Sequence, residues 1–132
     1  MARGAGVPQL GRVNELTSSV DIYKILGKLA GYPIDAPYLD GNLPEAFGGQ
    51  RREYTFSNSI YPGQTYKICV RTERYAFHLE TAEFTREDGT ISLDRYTYHI
   101  HERSEAYREV FDDALARYFM DIVWEYTESF RR

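Results

Sequence analysis

The second half of the chain alternates apolar and polar positions in short runs. The run TYKICVR, residues 65–71, places Tyr66, Ile68 and Val70 on one side, and RYAFHLE, residues 74–80, repeats the alternation. Because successive side chains of a strand point to opposite faces, this period of two predicts strands with one apolar face. The runs REYTFS, residues 52–57, and RYTYHIH, residues 95–101, are predicted as two further strands.

Two hairpins set the predicted register of these strands. Asp88–Gly89 suits a two-residue turn, since both positions tolerate the positive φ that such turns require. If these two residues form the loop, Glu87 faces Thr90, and further along the strands His78 faces His99. For the preceding hairpin, the register that continues the apolar face pairs Val70 with Tyr75. On the opposite face of the sheet, this register places Lys67 beside His78 and Cys69 beside Ala76.

Helical spacing marks the end of the chain and a short stretch near its start. We predict a long C-terminal helix over residues 105–130, capped by Ser104, with an acidic face exposed to solvent and one apolar face. Its predicted apolar positions are Tyr107, Phe111, Leu115, Tyr118, Phe119, Ile122 and Tyr126. Its predicted acidic positions are Asp112, Asp113, Asp121, Glu125 and Glu128. A short helix is expected after the N-cap candidates Thr17, Ser18 and Ser19, with Gly31 as its terminating residue.

These elements predict an α+β fold, an antiparallel four-stranded β-meander packed against a long C-terminal helix, with a short N-terminal helix. Residues 1–16 are expected to be a flexible N-terminal arm, and residues 17–132 a single α+β domain. Within it, residues 31–50 are rich in proline and glycine and predict a long loop. Because this loop carries Tyr32, Tyr38 and Phe47, we expect it to lie against the fold or against a partner.

Composition narrows the functional classes. The chain has 132 residues, a formal net charge of -4 and 12 tyrosines, so one acidic, tyrosine-rich domain is expected rather than a strongly basic nucleic-acid binder. A single cysteine, Cys69, excludes an internal disulfide and favours a reducing, cytoplasmic location. No apolar run approaches the roughly 20 residues of a membrane span, and the N-terminus lacks the apolar segment of a secretory signal.

The predicted register gathers most of the candidate chemistry on one polar face of the sheet. Its residues are Lys67, Cys69, His78, Glu80, Arg95, His99 and His101. His78, His99 and His101 are the candidate catalytic residues and the candidate ligands of zinc or another divalent metal, with Glu80 as a base. Lys67 counts against a metal, because its charge lies beside His78, but it suits metal-free acid–base catalysis such as a ribonuclease-like reaction. The default expectation is no cofactor, and Cys69 is interpreted as packing.

No strong catalytic motif is present, so the expected function is protein binding by an inhibitor or an accessory subunit of a larger complex. The candidate binding residues are Tyr32, Tyr38, Phe47, Arg71 and Arg74. A protein partner or a homo-oligomer is expected, with no membrane. One alternative is a small enzyme working from the histidine cluster. A second is RNA binding through the basic edge that contains Lys67, Arg71 and Arg74, which the acidic composition does not favour.

Overall fold

Four strands and two α-helices form the regular structure of the part of the chain that the computed structural model describes, residues 4–32, 41–104 and 106–132. The strands are β1 (Thr55–Ser59), β2 (Thr65–Arg71), β3 (Tyr75–Phe84) and β4 (Tyr96–Glu102), and the helices are α1 (Ile22–Leu29) and α2 (Asp113–Thr127). The predicted α+β class, with its four-stranded antiparallel sheet, is confirmed. The chain contacts divide it into two units, Met1–Thr55 and Phe56–Arg132. The predicted flexible arm and the single domain over residues 17–132 stay predictions.

The short helix α1 starts and ends at the predicted signals. Ser18, in extended backbone, precedes a single 3₁₀ turn at Ser19–Asp21 that leads directly into α1. The helix ends where Gly31 takes a left-handed conformation at φ +75°, which glycine adopts without the clash that a side chain would meet. In the first unit, local sequence signals therefore decide the helix limits.

Asp21 is the buried charge that organises the first unit. Its side chain is 1% exposed and forms an ion pair with the guanidinium of Arg52. The carboxylate also accepts hydrogen bonds from the backbone amides of Ser18, at 2.7 Å, and Asn42, at 2.9 Å. A buried carboxylate needs such partners because desolvation penalises its charge. One side chain thus ties the start of α1 to two later segments of the same unit.

Residues of the predicted arm also make contacts within the first unit. The Glu15 carboxylate accepts hydrogen bonds from the amides of Glu45, at 2.6 Å, and Ala46, at 3.3 Å. These amides start the 3₁₀ turn Glu45–Phe47, where backbone donors have no partner inside the turn. Glu15 therefore caps an element that is 30 residues away along the chain.

The sheet of the second unit has the strand order β1-β2-β3-β4. The register predicted for β3 against β4 is confirmed over the whole ladder. The observed partners are Tyr75 with Glu102, Ala76 with His101, Phe77 with Ile100, His78 with His99, Leu79 with Tyr98, Glu80 with Thr97 and Thr81 with Tyr96. One face of this ladder is therefore apolar and the other carries the histidines, since a slip by one residue would exchange the two faces.

The turn that suggested this register is longer than predicted. The Arg86 amide donates to the Thr90 carbonyl, and the Gly89 amide donates to the Arg86 carbonyl, both at 2.9 Å. The loop is therefore the three residues Glu87, Asp88 and Gly89, with Gly89 left-handed at φ +83°, a known alternative to the two-residue turn. Because the paired part of β4 begins only at Tyr96, the irregular stretch in between absorbs the one-residue difference.

The predicted register of β2 against β3 is wrong by two residues. Cys69 lies opposite His78, and Lys67 lies opposite Glu80, whereas the prediction placed Lys67 beside His78. The cause is the turn, in which Thr72 faces Tyr75. The Thr72 amide donates to the Tyr75 carbonyl at 2.9 Å, and the Tyr75 amide donates to the Thr72 hydroxyl at 3.0 Å. A shift of two keeps every side chain on its predicted face.

The C-terminal helix is shorter than predicted, and Ser104 does not cap it. Asp112 is the N-cap, and its carboxylate accepts from the amides of Ala114 and Leu115 at 2.9 and 3.0 Å. The buried residues of α2 are Ala116, Phe119, Ile122, Val123 and Thr127. Phe111 and Tyr118, predicted on the apolar face, are 89% and 41% exposed, while the five predicted acidic positions are exposed.

In the described part of the chain, no helix is long and apolar enough to cross a membrane.

Contact between α2 and the sheet is largely aromatic. Phe119 stacks on Phe77 with ring centres 5.2 Å apart, and both rings are fully buried. Phe56 of β1 packs on Tyr126 at 4.0 Å. Stacked aromatic pairs of this kind stabilise a fold beyond the area that they bury, by about 1 kcal/mol each. The helix therefore covers one face of the sheet and leaves the histidine face on the other side.

Replacing Asp21 by alanine should destabilise the first unit strongly. The change leaves the half-buried Arg52 guanidinium without its carboxylate, and breaking a buried ion pair from one side costs about 3 kcal/mol. Urea unfolding measures the loss in the free energy of unfolding. Asp121→Ala, on the exposed face of α2, is the matched control and should change it by less than about 0.5 kcal/mol. Equal changes in the two variants would contradict the role given to Asp21.

Candidate functional site

The polar face of the sheet forms a groove with a volume of about 460 Å³ within the second unit. It lies over β2, β3 and β4, where Lys67, His78 and His99 alternate with core residues of the opposite face. Its lining residues are Ser57, Asn58, Ser59, Lys67, Ile68, Cys69, His78, Leu79, Glu80, Thr97 and His99. The strand alternation thus gathers four of the five predicted catalytic candidates, and His101 follows His99 on the same face.

A short segment after β4 closes one end of this face. We call residues 107–110 the strap. They run antiparallel beside β4, with the Glu102 amide donating to the Arg108 carbonyl and the Val110 amide donating to the Ile100 carbonyl, both at 2.8 Å. His101 and Glu109 lie opposite each other in this pairing. The strap replaces the first turns of the predicted helix and carries side chains back onto the histidines.

Tyr107 binds two of the three histidines. Its ring stacks on His101 with ring centres 4.6 Å apart and an interplanar angle of 5°. Its hydroxyl lies 3.1 Å from Nε2 of His78. Tyr107 has φ +43°, a left-handed conformation that is costly for a bulky side chain. The stacking and the hydrogen bond offset this cost, so the strained residue lies where the histidines meet the strap.

Glu109 holds the third histidine. Its Oε1 lies 2.6 Å from Nδ1 of His99. Because an ionised carboxylate can only accept, Nδ1 of His99 carries the proton in this bond. The other ring nitrogen, Nε2, is then the one left to act on a ligand as an acceptor or base. This is the arrangement by which carboxylates orient histidines in catalytic and metal sites.

His78 is held in its neutral form. Partial burial lowers the pKa of His78, and the nearby charges of His101, Arg71 and His99 lower it further. The Tyr107 hydroxyl lies 3.1 Å and the Cys69 thiol 3.9 Å from Nε2 of this neutral ring. Burial raises the pKa of Cys69 despite the nearby cations of Arg71 and Arg103. A protonated, buried thiol is a poor nucleophile, which agrees with the interpretation of Cys69 as packing.

Lys67 and Glu80 pair with each other across the groove. The Lys67 ammonium lies 3.3 Å from Glu80 Oε1, and the Thr65 hydroxyl donates to the same oxygen at 2.6 Å. The hydrogen bond from Thr65 and the contact with Lys67 lower the pKa of Glu80. Glu80 is therefore an ionised acceptor and a weak base, and its exposed ion pair contributes little to stability.

Two of the three imidazoles, those of His78 and His99, form hydrogen bonds with Tyr107 and Glu109, whereas Nδ1 of His101 is buried and has no hydrogen-bond partner among the described residues. Ring centres lie 6.0 Å apart for His78 and His101, and 6.3 Å apart for His99 and His101. Among the described residues, no group of three or more His, Cys, Asp or Glu side chains is placed to hold a metal ion. Zinc at Nε2 of His78 would have to displace the Tyr107 hydroxyl. The predicted metal site stays a prediction.

The predicted binding residues fall in both units. Tyr32 is 78% exposed, and Phe47 lines an apolar groove of about 620 Å³ within the first unit, together with Leu10, Val13 and Ile22. Tyr38 lies outside the described residues. Arg71 and Arg74 are exposed near the turn between β2 and β3, and the Arg74 guanidinium lies 5.1 Å from the Tyr75 ring centre. Their roles, and RNA binding at that edge, stay predictions.

Sequence reasoning missed Tyr107 and Glu109, because their segment was predicted as the first turns of a helix. One signal was available. Asp112, followed by Asp113 and an apolar run, is a better start for the helix than Ser104, since aspartate is a strong N-cap and acids favour the first turn. Starting the helix there leaves residues 106–111 outside it, next to a strand edge that needs covering.

Comparisons of the chain with protein-family models, with curated proteins and with solved structures find no match. The chemistry of the site therefore rests on its own geometry. His99, oriented by Glu109, can accept a proton at Nε2, and Lys67 can stabilise a negative charge on a bound molecule. Equally, the polar groups of the groove can bind a polar ligand without reacting with it.

His78 should make the protein less stable in mild acid. Since its pKa is lower in the folded protein than in the unfolded chain, the unfolded state binds more protons, and stability falls as pH drops through the usual histidine pKa of about 6.5. The free energy of unfolding of His78→Gln should fall less than that of the wild type between neutral pH and mild acid. Urea unfolding at several pH values measures this, and NMR titration gives the pKa directly. A His78 pKa at or above its ordinary value contradicts the burial of a neutral ring.

Proposed function

We propose that the chain is a protein-interaction domain whose contact surface is a row of aromatic side chains in the second unit. The aromatic row is defined by Tyr96, Tyr98, Phe77, Phe119 and Tyr118. Its buried centre is the stacked pair of Phe77 and Phe119, which joins the sheet to α2. Its outer members are tyrosines, the residue type that combines a large apolar ring with a polar tip at interfaces.

Ring contacts run without a gap along the row. Tyr96 and Tyr98 have ring centres 6.4 Å apart, and Tyr98 stacks on Phe77 at 5.6 Å. On the helix side, Tyr118 packs edge-on against Phe119 at 5.3 Å. The three tyrosines are 36%, 40% and 41% exposed. This partial exposure of rings that rest on the core is the observation that carries the proposal.

Rings supported in this way are suited to binding. Tyrosine has few rotatable bonds, and contact with buried neighbours restricts these further, so little side-chain entropy remains to be lost on association. Phe111 and Phe84, which are 89% and 64% exposed, add large apolar side chains in the same unit.

Charges beside the row favour a basic partner. Asp121 and Glu125 follow Tyr118 at helical spacings of three and seven residues, so they lie on the same side of α2. Both are exposed. A partner surface with lysine or arginine around an apolar cleft complements a tyrosine flanked by carboxylates.

A second candidate is an enzyme that works from the groove. It is favoured by one observation, the orientation of His99 by Glu109 beside a cavity that also holds Lys67. A base positioned by a carboxylate, next to a cation, is a common acid–base arrangement. The two candidates use opposite faces of the sheet, which allows one experiment to separate them.

Tyr118→Ala should weaken binding of the partner, because it removes an aromatic side chain from the contact surface. The binding free energy should become less favourable by about 2 kcal/mol, which is roughly 30-fold in affinity. The measurement is affinity capture from an extract of the source cells with quantitative mass spectrometry, followed by titration of the captured protein. His99→Ala, on the opposite face, should capture the same protein with unchanged affinity. If the capture depends on His99 and not on Tyr118, the row is not the contact surface and the groove becomes the better candidate.

A further inference from the structure

The backbone amides and carbonyls of β4 point alternately to the two sides of the strand. The Ala82 amide donates to the Arg95 carbonyl at 2.9 Å, so odd-numbered residues of β4 bond inward to β3. On the outer side, the Ile100 carbonyl and the Glu102 amide bond to the strap. Since the backbone groups of an antiparallel strand alternate in this way, Tyr96 and Tyr98 direct their amides and carbonyls outward.

The strap covers only half of this outer edge. Among the described residues, the backbone hydrogen bonds on the outer side of β4 are those of the strap at Ile100 and Glu102. Residues 94–99 are all exposed. An open strand edge is a template for another strand, and the strap itself shows that this edge accepts an antiparallel segment.

We propose that the open half of β4 pairs with the same segment of a second copy of this chain. The inference rests on the proposed function, because it names a second copy as one partner of the surface that the row provides. An antiparallel pair can be related by a two-fold axis, the commonest symmetry of protein dimers. With the axis at Thr97, Tyr96 of each copy faces Tyr98 of the other, and the outward groups of both residues form four backbone hydrogen bonds.

Side chains at this dimer interface form favourable pairs across the two-fold axis. Tyr96 and Tyr98 of both copies meet on the helix face of the sheet, and aromatic cross-strand pairs are favourable. On the other face, Thr97 meets Thr97 of the second copy, also a favourable pair. The tyrosines that the chain leaves partly exposed thus become the centre of a sheet that continues through both copies.

The strap limits the length of the paired segment between the two copies. Val110 of the strap already occupies the edge at Ile100, so the strands of two copies pair over about three to five residues, near the lower end of ordinary strand length. A paired segment this short predicts a reversible dimer whose fraction rises with protein concentration. It also makes the dimer sensitive to the loss of a single backbone donor.

The test is sedimentation velocity of the full chain from low-micromolar to high-micromolar concentration. Tyr96→Pro removes an outward amide, a change that edge strands tolerate because no bond inside the chain is lost. Two of the four bonds across the axis disappear, so the dissociation constant of the dimer should rise about 30-fold. Tyr96→Val, which removes the ring and keeps the amide, is the matched control and should raise it by less than about fivefold.

Amide hydrogen exchange gives a second measurement that does not depend on the variants. In the wild type, the amides of Tyr96 and Tyr98 should become protected as concentration rises, while the Thr97 amide, already bonded to β3, should not change. A monomer at every concentration, or a dimer weakened equally by both variants, overturns the proposal. Either result leaves the Tyr118-dependent capture untouched, so failure of the dimer and failure of the aromatic row are distinguishable.

Discussion

The pairing of β3 with β4 is the constraint on which the second unit depends. With His78 opposite His99, Phe77 is turned toward α2 and the histidines toward the groove. A slip of one residue would bury the imidazoles against the helix and expose the core rings, at a cost of several kcal/mol for each buried aromatic residue. The two candidate surfaces, the aromatic row and the histidine groove, are therefore the two faces of a single ladder.

The strap adds the second level of organisation. It covers one half of the outer edge of β4, brings Tyr107 and Glu109 onto the histidines, and then leaves the sheet where Asp112 starts α2. Tyr107 has a left-handed backbone, stacks on His101 and contacts His78 through its hydroxyl. The open half of the edge is defined by where the strap ends, at Val110 beside Ile100.

The register of β3 and β4 was predicted from the turn at Asp88–Gly89, and it is correct although that turn is longer, because the irregular stretch before Tyr96 absorbs the difference. Periodicity in the sequence was sufficient for the fold class and for the strands, because alternation of apolar residues determines which face is buried. It failed where one side chain decides the local geometry. The Thr72 hydroxyl closes the turn before β3 and shifts β2 by two residues, and Asp112 moves the start of α2. The site was predicted in its strand residues and missed in its strap residues, since contacts between a loop and a strand edge leave no periodic signal.

Residues 107–110 lie along β4 and contact the histidines, and one NMR measurement tests this arrangement most directly. His101 and Glu109 are opposed without exchanging backbone hydrogen bonds, so their Cα atoms should be about 4.5 Å apart. This pairing predicts a strong nuclear Overhauser effect between their Hα protons. Absence of that signal, together with the helical pattern of contacts over residues 105–111, would contradict it.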